Sequence, residues 1–408
     1  MIDLSSPAIY VPTIFITLLA IFIAVLCKDS QRHTSDNTKD LPYYYEIGLS
    51  MGYLGRNLKE DGRFVYRRNV DSEIKYDNTV YNSLRHAGTL YSMYLYEQMG
   101  LETRYKEARI NSSLYFVNRY IKKVNDKMSV VLSLPEEEGI KFPIAKSGAA
   151  GVALAALCNL TEDAESKETI TLELMRELGE FLLFMQSEDG QIYAYYDINK
   201  KMIDKKAQAM FYPGEAAFGL LSLYEIDPRQ KWLDGAIKAI MYLANERKDM
   251  DLDMPFDHWS VLVIEKLIEK NLLNSSQLQT LKTYAEHMAI PILSNQITNP
   301  NNSYYGAFKD NVRPGSIGTI MEGLASVYFC TDNEPLKRII SKSLSIGNYF
   351  LSKTQVKTGT QAGGMPNSAN WVKPGVTPNA SVIRIDNIQH VVIGWLKYQN
   401  ILKVTQNY

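Results

Sequence analysis

The sequence predicts an all-α fold, an (α/α)6 toroid of six helical hairpins, preceded by an N-terminal transmembrane helix. Three observations carry the prediction. Helical segments of two styles alternate along residues 42–408, six of each. One style is apolar nearly all round, as a helix buried on every side must be, and the other carries a single apolar stripe. Two of the turns between them repeat one local sequence, the mark of a repeat architecture.

Residues 1–8 form a short tail without Lys or Arg. Residues 9–27 carry no charge and are long enough to cross a bilayer as a helix. A cleaved signal peptide has basic residues before its apolar run and small residues at the cleavage site. Neither is present, so the segment reads as an uncleaved single-pass anchor with the membrane as its partner. Residues 28–41 are polar and read as a flexible linker. Lys28 and Arg32 follow the span and no basic residue precedes it, a charge bias that favours a cytoplasmic domain but leaves the side of the membrane open.

The inner helices are expected at Tyr81–Gln98, Phe142–Leu160, Phe211–Glu225, Phe256–Glu269, Pro314–Phe329 and Val382–Asn400. The amphipathic outer helices are expected at Tyr43–Lys59, Arg104–Lys123, Lys167–Gln186, Gln230–Glu246, Ser276–Leu293 and Glu334–Lys353. Glu60-Asp61-Gly62-Arg63-Phe64 and Glu188-Asp189-Gly190-Gln191-Ile192 share one pattern after an outer helix. Glycine ends the helix there, and a short strand-like stretch follows on one rim. Each hairpin has apolar surface that only its neighbours can cover, and the varied loop lengths favour a closed ring over an open superhelix.

Composition narrows the function. With 44 basic and 45 acidic residues the net charge is -1, without the basic excess of a nucleic-acid protein. The 27 tyrosines suit a ligand that needs both stacking and hydrogen bonds. Cys27, Cys158 and Cys330 make no disulfide framework, and no His stands beside them, so a zinc-dependent cyclase type of toroid lacks its ligands. Glu136-Glu137-Glu138 reads as a solvated loop. No cofactor and no metal is called for.

The unusual polar residues fall at the starts of the inner helices. His86, His258 and His390 lie in first turns, Arg85, Arg313 and Arg384 flank the same helices, and Glu215, Asp257 and Asp386 accompany them. Tyr81, Tyr212, Tyr305, Trp259 and Trp371 are close in sequence, and Lys146 opens the second inner helix. Asp257 and Asp386 are equally well placed to cap their helices. Together these residues suit a hydroxyl-rich or acidic substrate at a common rim.

In its helix order, Asp-Gly rim junctions and ionic inner-helix starts, the chain resembles the six-hairpin glycosidase-like superfamily. That group comprises glycoside hydrolases, polysaccharide lyases and N-acylglucosamine 2-epimerase relatives. The resemblance implies a carbohydrate substrate and two mechanisms. The first is hydrolysis by two carboxyl groups, with Glu215 as acid and Asp257 or Asp386 as base. The second is epimerisation or isomerisation, which the resemblance implies through His258, His390 and Arg85 on the fourth, sixth and first inner helices. Hydrolysis ranks first because the anchor fits polysaccharide work at the envelope. Tyr81, Arg85, His86, Lys146, Tyr212, Trp259, Tyr305, Arg313, Trp371 and Arg384 are the expected substrate contacts. A non-catalytic toroid that grips a glycan or a protein is the third reading.

Overall fold

The computed structural model describes residues 41–71, 73–100, 105–250, 254–309, 311–373, 375 and 377–406. The expected anchor at residues 9–27 lies outside them. Among the described residues, no helix is long and apolar enough to cross a membrane.

Among the described residues, twelve long helices alternate as the sequence predicts. The outer ones are α1 (Tyr44–Arg56), α3 (Lys106–Tyr120), α5 (Leu172–Phe184), α7 (Gln230–Glu246), α9 (Ser275–Ser294) and α11 (Glu334–Thr354). The inner ones are α2 (Ser83–Gln98), α4 (Ser147–Leu157), α6 (Tyr212–Ile226), α8 (His258–Glu269), α10 (Pro314–Cys330) and α12 (Ile385–Gln406). Each inner helix packs on the next in order, and α12 returns to α2, so the inner ring closes.

Burial explains the two styles. Every residue of α4 is buried, a segment rich in Ala and Gly that lets its neighbours approach closely. Helix α7 buries Trp232, Leu233, Ala236, Ala239, Ile240 and Leu243 along one stripe. The N-termini are fixed by side-chain caps: Asn82 on α2, Thr171 on α5, Asn274 on α9 and Asn333 on α11 each accept a backbone N–H.

The junction after an outer helix recurs more widely than two sequence matches suggest. Gly62, Gly190, Gly306 and Gly363 all have φ between 89° and 108°. Each lies where a Cβ would meet a backbone carbonyl of another outer helix: Asn111 of α3, Lys238 of α7, Ile346 of α11 and Leu49 of α1. Only glycine combines that φ with that proximity. Beside three of them an amide side chain donates to the same neighbour, Gln186 to Gly235 O, Gln296 to Ser343 O and Gln355 to Glu46 O. The last of these joins the end of the outer ring to its beginning.

The rim is richer in β structure than expected. Strands β2 (Ile121–Asn125), β3 (Met128–Ser133), β4 (Ile144–Lys146), β5 (Tyr195–Asp197) and β6 (Met202–Asp204) form one antiparallel sheet in that order. A second pair, β1 (Arg67–Asn69) and β7 (Val382–Arg384), ties the first hairpin to the last. Two inner helices therefore start later than their apolar runs, at Ser147 and Ile385, because the preceding residues pair as β4 and β7.

Candidate active site

The amino ends of the inner helices surround a cavity of about 510 Å³. Its wall includes Arg85 from α2, Tyr212 and Glu215 from α6, His258 and Trp259 from α8, and Asp386 and His390 from α12. A polar cleft of about 810 Å³ shares Arg85, Asp386 and His390 with it and adds Arg313 and Arg384. Nine of the residues expected at a common rim are thus brought together.

Glu215 stands in the first turn of α6, with its carboxyl over Gly148 of α4. A Cβ at Gly148 would lie 1.9 Å from Oε2, so the glycine makes the space for the acid. Oε2 is buried without a hydrogen-bond partner. Burial, reinforced by the charge of Asp257 and opposed by Lys146, pushes the Glu215 pKa up to about 8. The group is a protonated acid at neutral pH.

His258 is 2% exposed, and neither ring nitrogen has a partner. Burial, with the neighbouring His390, holds its pKa well below the ordinary imidazole range, so the ring is neutral. It packs edge-on against His390, ring centroids 5.3 Å apart. Behind His390 stands Glu322 of α10, fully buried, with Oε2 3.1 Å from Nδ1. Nδ1–H donated to that carboxylate leaves Nε2 as the basic nitrogen.

Arg85 and Asp386 form an ion pair in the same cavity wall. Arg85 Nε lies 3.1 Å from Asp386 Oδ2, and Arg85 also donates to the Tyr66 hydroxyl. Arg384 holds both oxygens of Asp386, at 3.0 and 2.9 Å. Asp386 is therefore spent on orienting two guanidinium groups.

Six expected site residues lie elsewhere. Asp257 is fully buried and outside the cavity wall: it caps α8 through Ser260 and pairs with Arg247 at 3.4 Å. Burial raises its pKa against the opposing pull of Arg247. Tyr81 and His86 form a core pair. His86 Nε2 donates to Ser112 O at 3.1 Å, so Nδ1 accepts from the Tyr81 hydroxyl at 2.7 Å. Burial pushes the His86 pKa down to about 3. Trp371 donates its indole N–H to Thr354 O, and Tyr305 packs on Tyr349 of α11. Lys146 pairs with Glu138 at 2.5 Å and reaches the site only through its charge on Glu215. Glu138, in the run read as solvated, is thereby an ion-pair partner, and Glu137 is buried and accepts from Tyr120.

Sequence reasoning missed Glu322. Its signal was a lone carboxylate in the middle of an otherwise apolar inner helix, with no paired charge on the same helix.

No protein-family pattern and no curated protein matches the chain at the level of sequence. Solved structures do match in shape. A D-mannose isomerase superposes with a TM-score of 0.63 at 11% identity, over 90% of this chain and 98% of its own. The cellobiose 2-epimerase from Bacillus thermoamylovorans B4167 gives 0.62 at 11%, over 86% and 98%. An alpha-1,6-mannanase from Salegentibacter sp. HEL1_6 gives 0.56 at 14%, over 88% and 99%. The chain is an (α/α)6 toroid. At these identities the likeness establishes the toroid alone and singles out no family within it.

Proposed function

We propose that this toroid is a carbohydrate-active enzyme that epimerises or isomerises a sugar by moving a proton at a carbon next to the carbonyl. The observation that carries this reading is the pair of imidazoles from α8 and α12 in one cavity, with Glu322 behind His390. His390 Nε2 takes the proton from the carbon, and the electrons of the broken C–H bond pass to the carbonyl oxygen as an enediolate. Arg85, held by Asp386, stabilises the developing negative charge. Protonated Glu215 supplies a hydrogen bond or a proton to oxygen. Return of the proton to the opposite face gives the epimer; return to the neighbouring carbon gives the isomer. The isomerase and epimerase neighbours support this class of substrate.

Hydrolysis is the second reading, favoured by the protonated state of Glu215. It needs a free carboxylate base, and both oxygens of Asp386 are engaged by Arg384 while Asp257 lies outside the cavity. In the similar mannanase, a variant with two adjacent aspartates replaced is inactive and binds alpha-1,6-mannotriose. This chain contains no Asp-Asp pair anywhere in its sequence.

Deuterium exchange decides between the two. Incubation with mannose, glucose, N-acetylated amino sugars and cellobiose in D2O is expected to place deuterium at C2 of one of them, seen by NMR. Cleavage of a glycan without any exchange at C2 overturns the epimerase reading in favour of hydrolysis. Residues 9–27 are proposed to tether the enzyme, and the reading fails if the full chain stays out of the membrane fraction.

A further inference from the structure

Helices α8, α10 and α12 bring three ligating side chains to one point. One donor atom each from His258, Glu322 and His390 lies within 4.8 Å of the other two. All three residues sit on regular helices, so the constellation is held by the ring itself. Their hydrogen bonding is incomplete. Both nitrogens of His258 and Oε1 of Glu322 are buried without partners. Unmet polar atoms at this depth are destabilising and uncommon, and here three of them belong to two residues of the cluster.

The donor set has a chemical meaning. Two imidazoles and one carboxylate suit first-row divalent cations, whereas Ca²⁺ and Mg²⁺ favour all-oxygen cages. Two ligands at about 2.0 Å from one tetrahedral Zn²⁺ stand about 3.3 Å apart. The separation of His390 Nδ1 from Glu322 Oε2 is 3.1 Å.

We propose that His258, Glu322 and His390 form a binding site for a divalent first-row transition cation, Zn²⁺ being the best match, with its open coordination position toward the cavity. Three protein ligands and an open position are the arrangement of a reactive rather than a purely structural site. Binding itself is independent of any reading of the reaction. One consequence does rest on the epimerase reading: the cation ties His390 to the metal and takes the Nδ1–Glu322 contact from it, so Zn²⁺ inhibits proton transfer.

The test uses the full chain, stripped with EDTA and titrated with Zn²⁺ by calorimetry and with Co²⁺ by visible absorption. One equivalent is expected to bind, to give a Co²⁺ ligand-field band and to raise the Tm. His390→Ala and Glu322→Gln are each expected to weaken Zn²⁺ by at least about tenfold, the usual effect of losing a ligand or its support. The Co²⁺ band of the unmodified chain reads the ligand set without relying on any variant that fails to fold. No binding at submillimolar Zn²⁺, or binding that both substitutions leave unchanged, overturns the site. Activity that rises with Zn²⁺ overturns the inhibitory consequence. Zn²⁺ binding at these ligands, in a protein that exchanges no sugar proton, supports the site and removes the epimerase reading instead.

Discussion

Glu322 Oε2 lies 3.1 Å from His390 Nδ1, and no part of Glu322 is exposed to solvent. A buried carboxylate in that position sets the imidazole tautomer and stabilises the imidazolium that proton abstraction creates. Glu322→Gln keeps the shape and removes the charge. The expected outcome is a loss of kcat of about 10²-fold with KM nearly unchanged, within the range of general acid–base contributions. Steady-state rates of C2 exchange measure it. An unchanged kcat assigns Glu322 to packing alone.

Glu215 gives a prediction about stability and pH. Its folded pKa of about 8 is raised above the ordinary 4.5. Below the unfolded value both states carry the proton, and the folded state loses nothing. Between the two values the unfolded chain ionises while the buried carboxyl does not. The folded state then loses stability as pH rises, at about 1.4 kcal/mol per pH unit, until the folded pKa is passed. Glu215→Gln removes the slope contributed by this group. Urea denaturation from pH 5 to about 8 is expected to show a flatter stability profile for the variant than for the unmodified chain. Parallel profiles show that the carboxyl ionises normally in the fold.

Much of this arrangement was legible in the sequence. Helical periodicity located the twelve long helices of the described residues, and α7 has the predicted bounds, Gln230–Glu246. Nine of the residues expected from their place at inner-helix starts line the two neighbouring cavities. The rim sheet was not visible, because its strands are three to six residues long and too short to show a period. Ile144–Lys146 lies in an apolar run that reads as helix, yet it pairs with both Leu132–Ser133 and Tyr195–Asp197. Such pairing is set by tertiary neighbours, which local pattern does not record. The same limit applies to Asp257. Sequence placed it at a helix start, where the cap reading and the catalytic reading look alike until Arg247 and Ser260 are seen beside it.

Asp257→Ala separates those two roles. The substitution removes the α8 cap and leaves Arg247, 9% exposed, with only Tyr284 at 2.9 Å and the Met210 carbonyl at 3.4 Å. Loss of a partner from a buried ion pair costs about 3 kcal/mol. Chemical denaturation is expected to show that loss, while the folded fraction keeps its kcat within about threefold, since Asp257 does not line the cavity and burial remains the main cause of the raised Glu215 pKa. A collapse of kcat in protein that is still folded returns Asp257 to the reaction and revives the hydrolytic pair.

Ring closure is tested at Gly363. Its φ of +91° disfavours any side chain, and a Cβ there would stand 1.9 Å from the carbonyl oxygen of Leu49 in α1. Gly359 lies in the same connection with φ +76° and nothing within 4 Å of its would-be Cβ. Alanine at both positions suffers the same left-handed backbone strain, about 1 kcal/mol. Only Gly363→Ala must also push the end of the outer ring away from its beginning, where Gln355 donates to Glu46 O. Its expected cost exceeds that of Gly359→Ala by about 2 kcal/mol or more, the scale of overpacking a closed contact. Paired denaturation curves give the difference directly. Equal losses would mean that the contact between α1 and the segment after α11 yields freely, and the outer ring would then be open at this seam in solution.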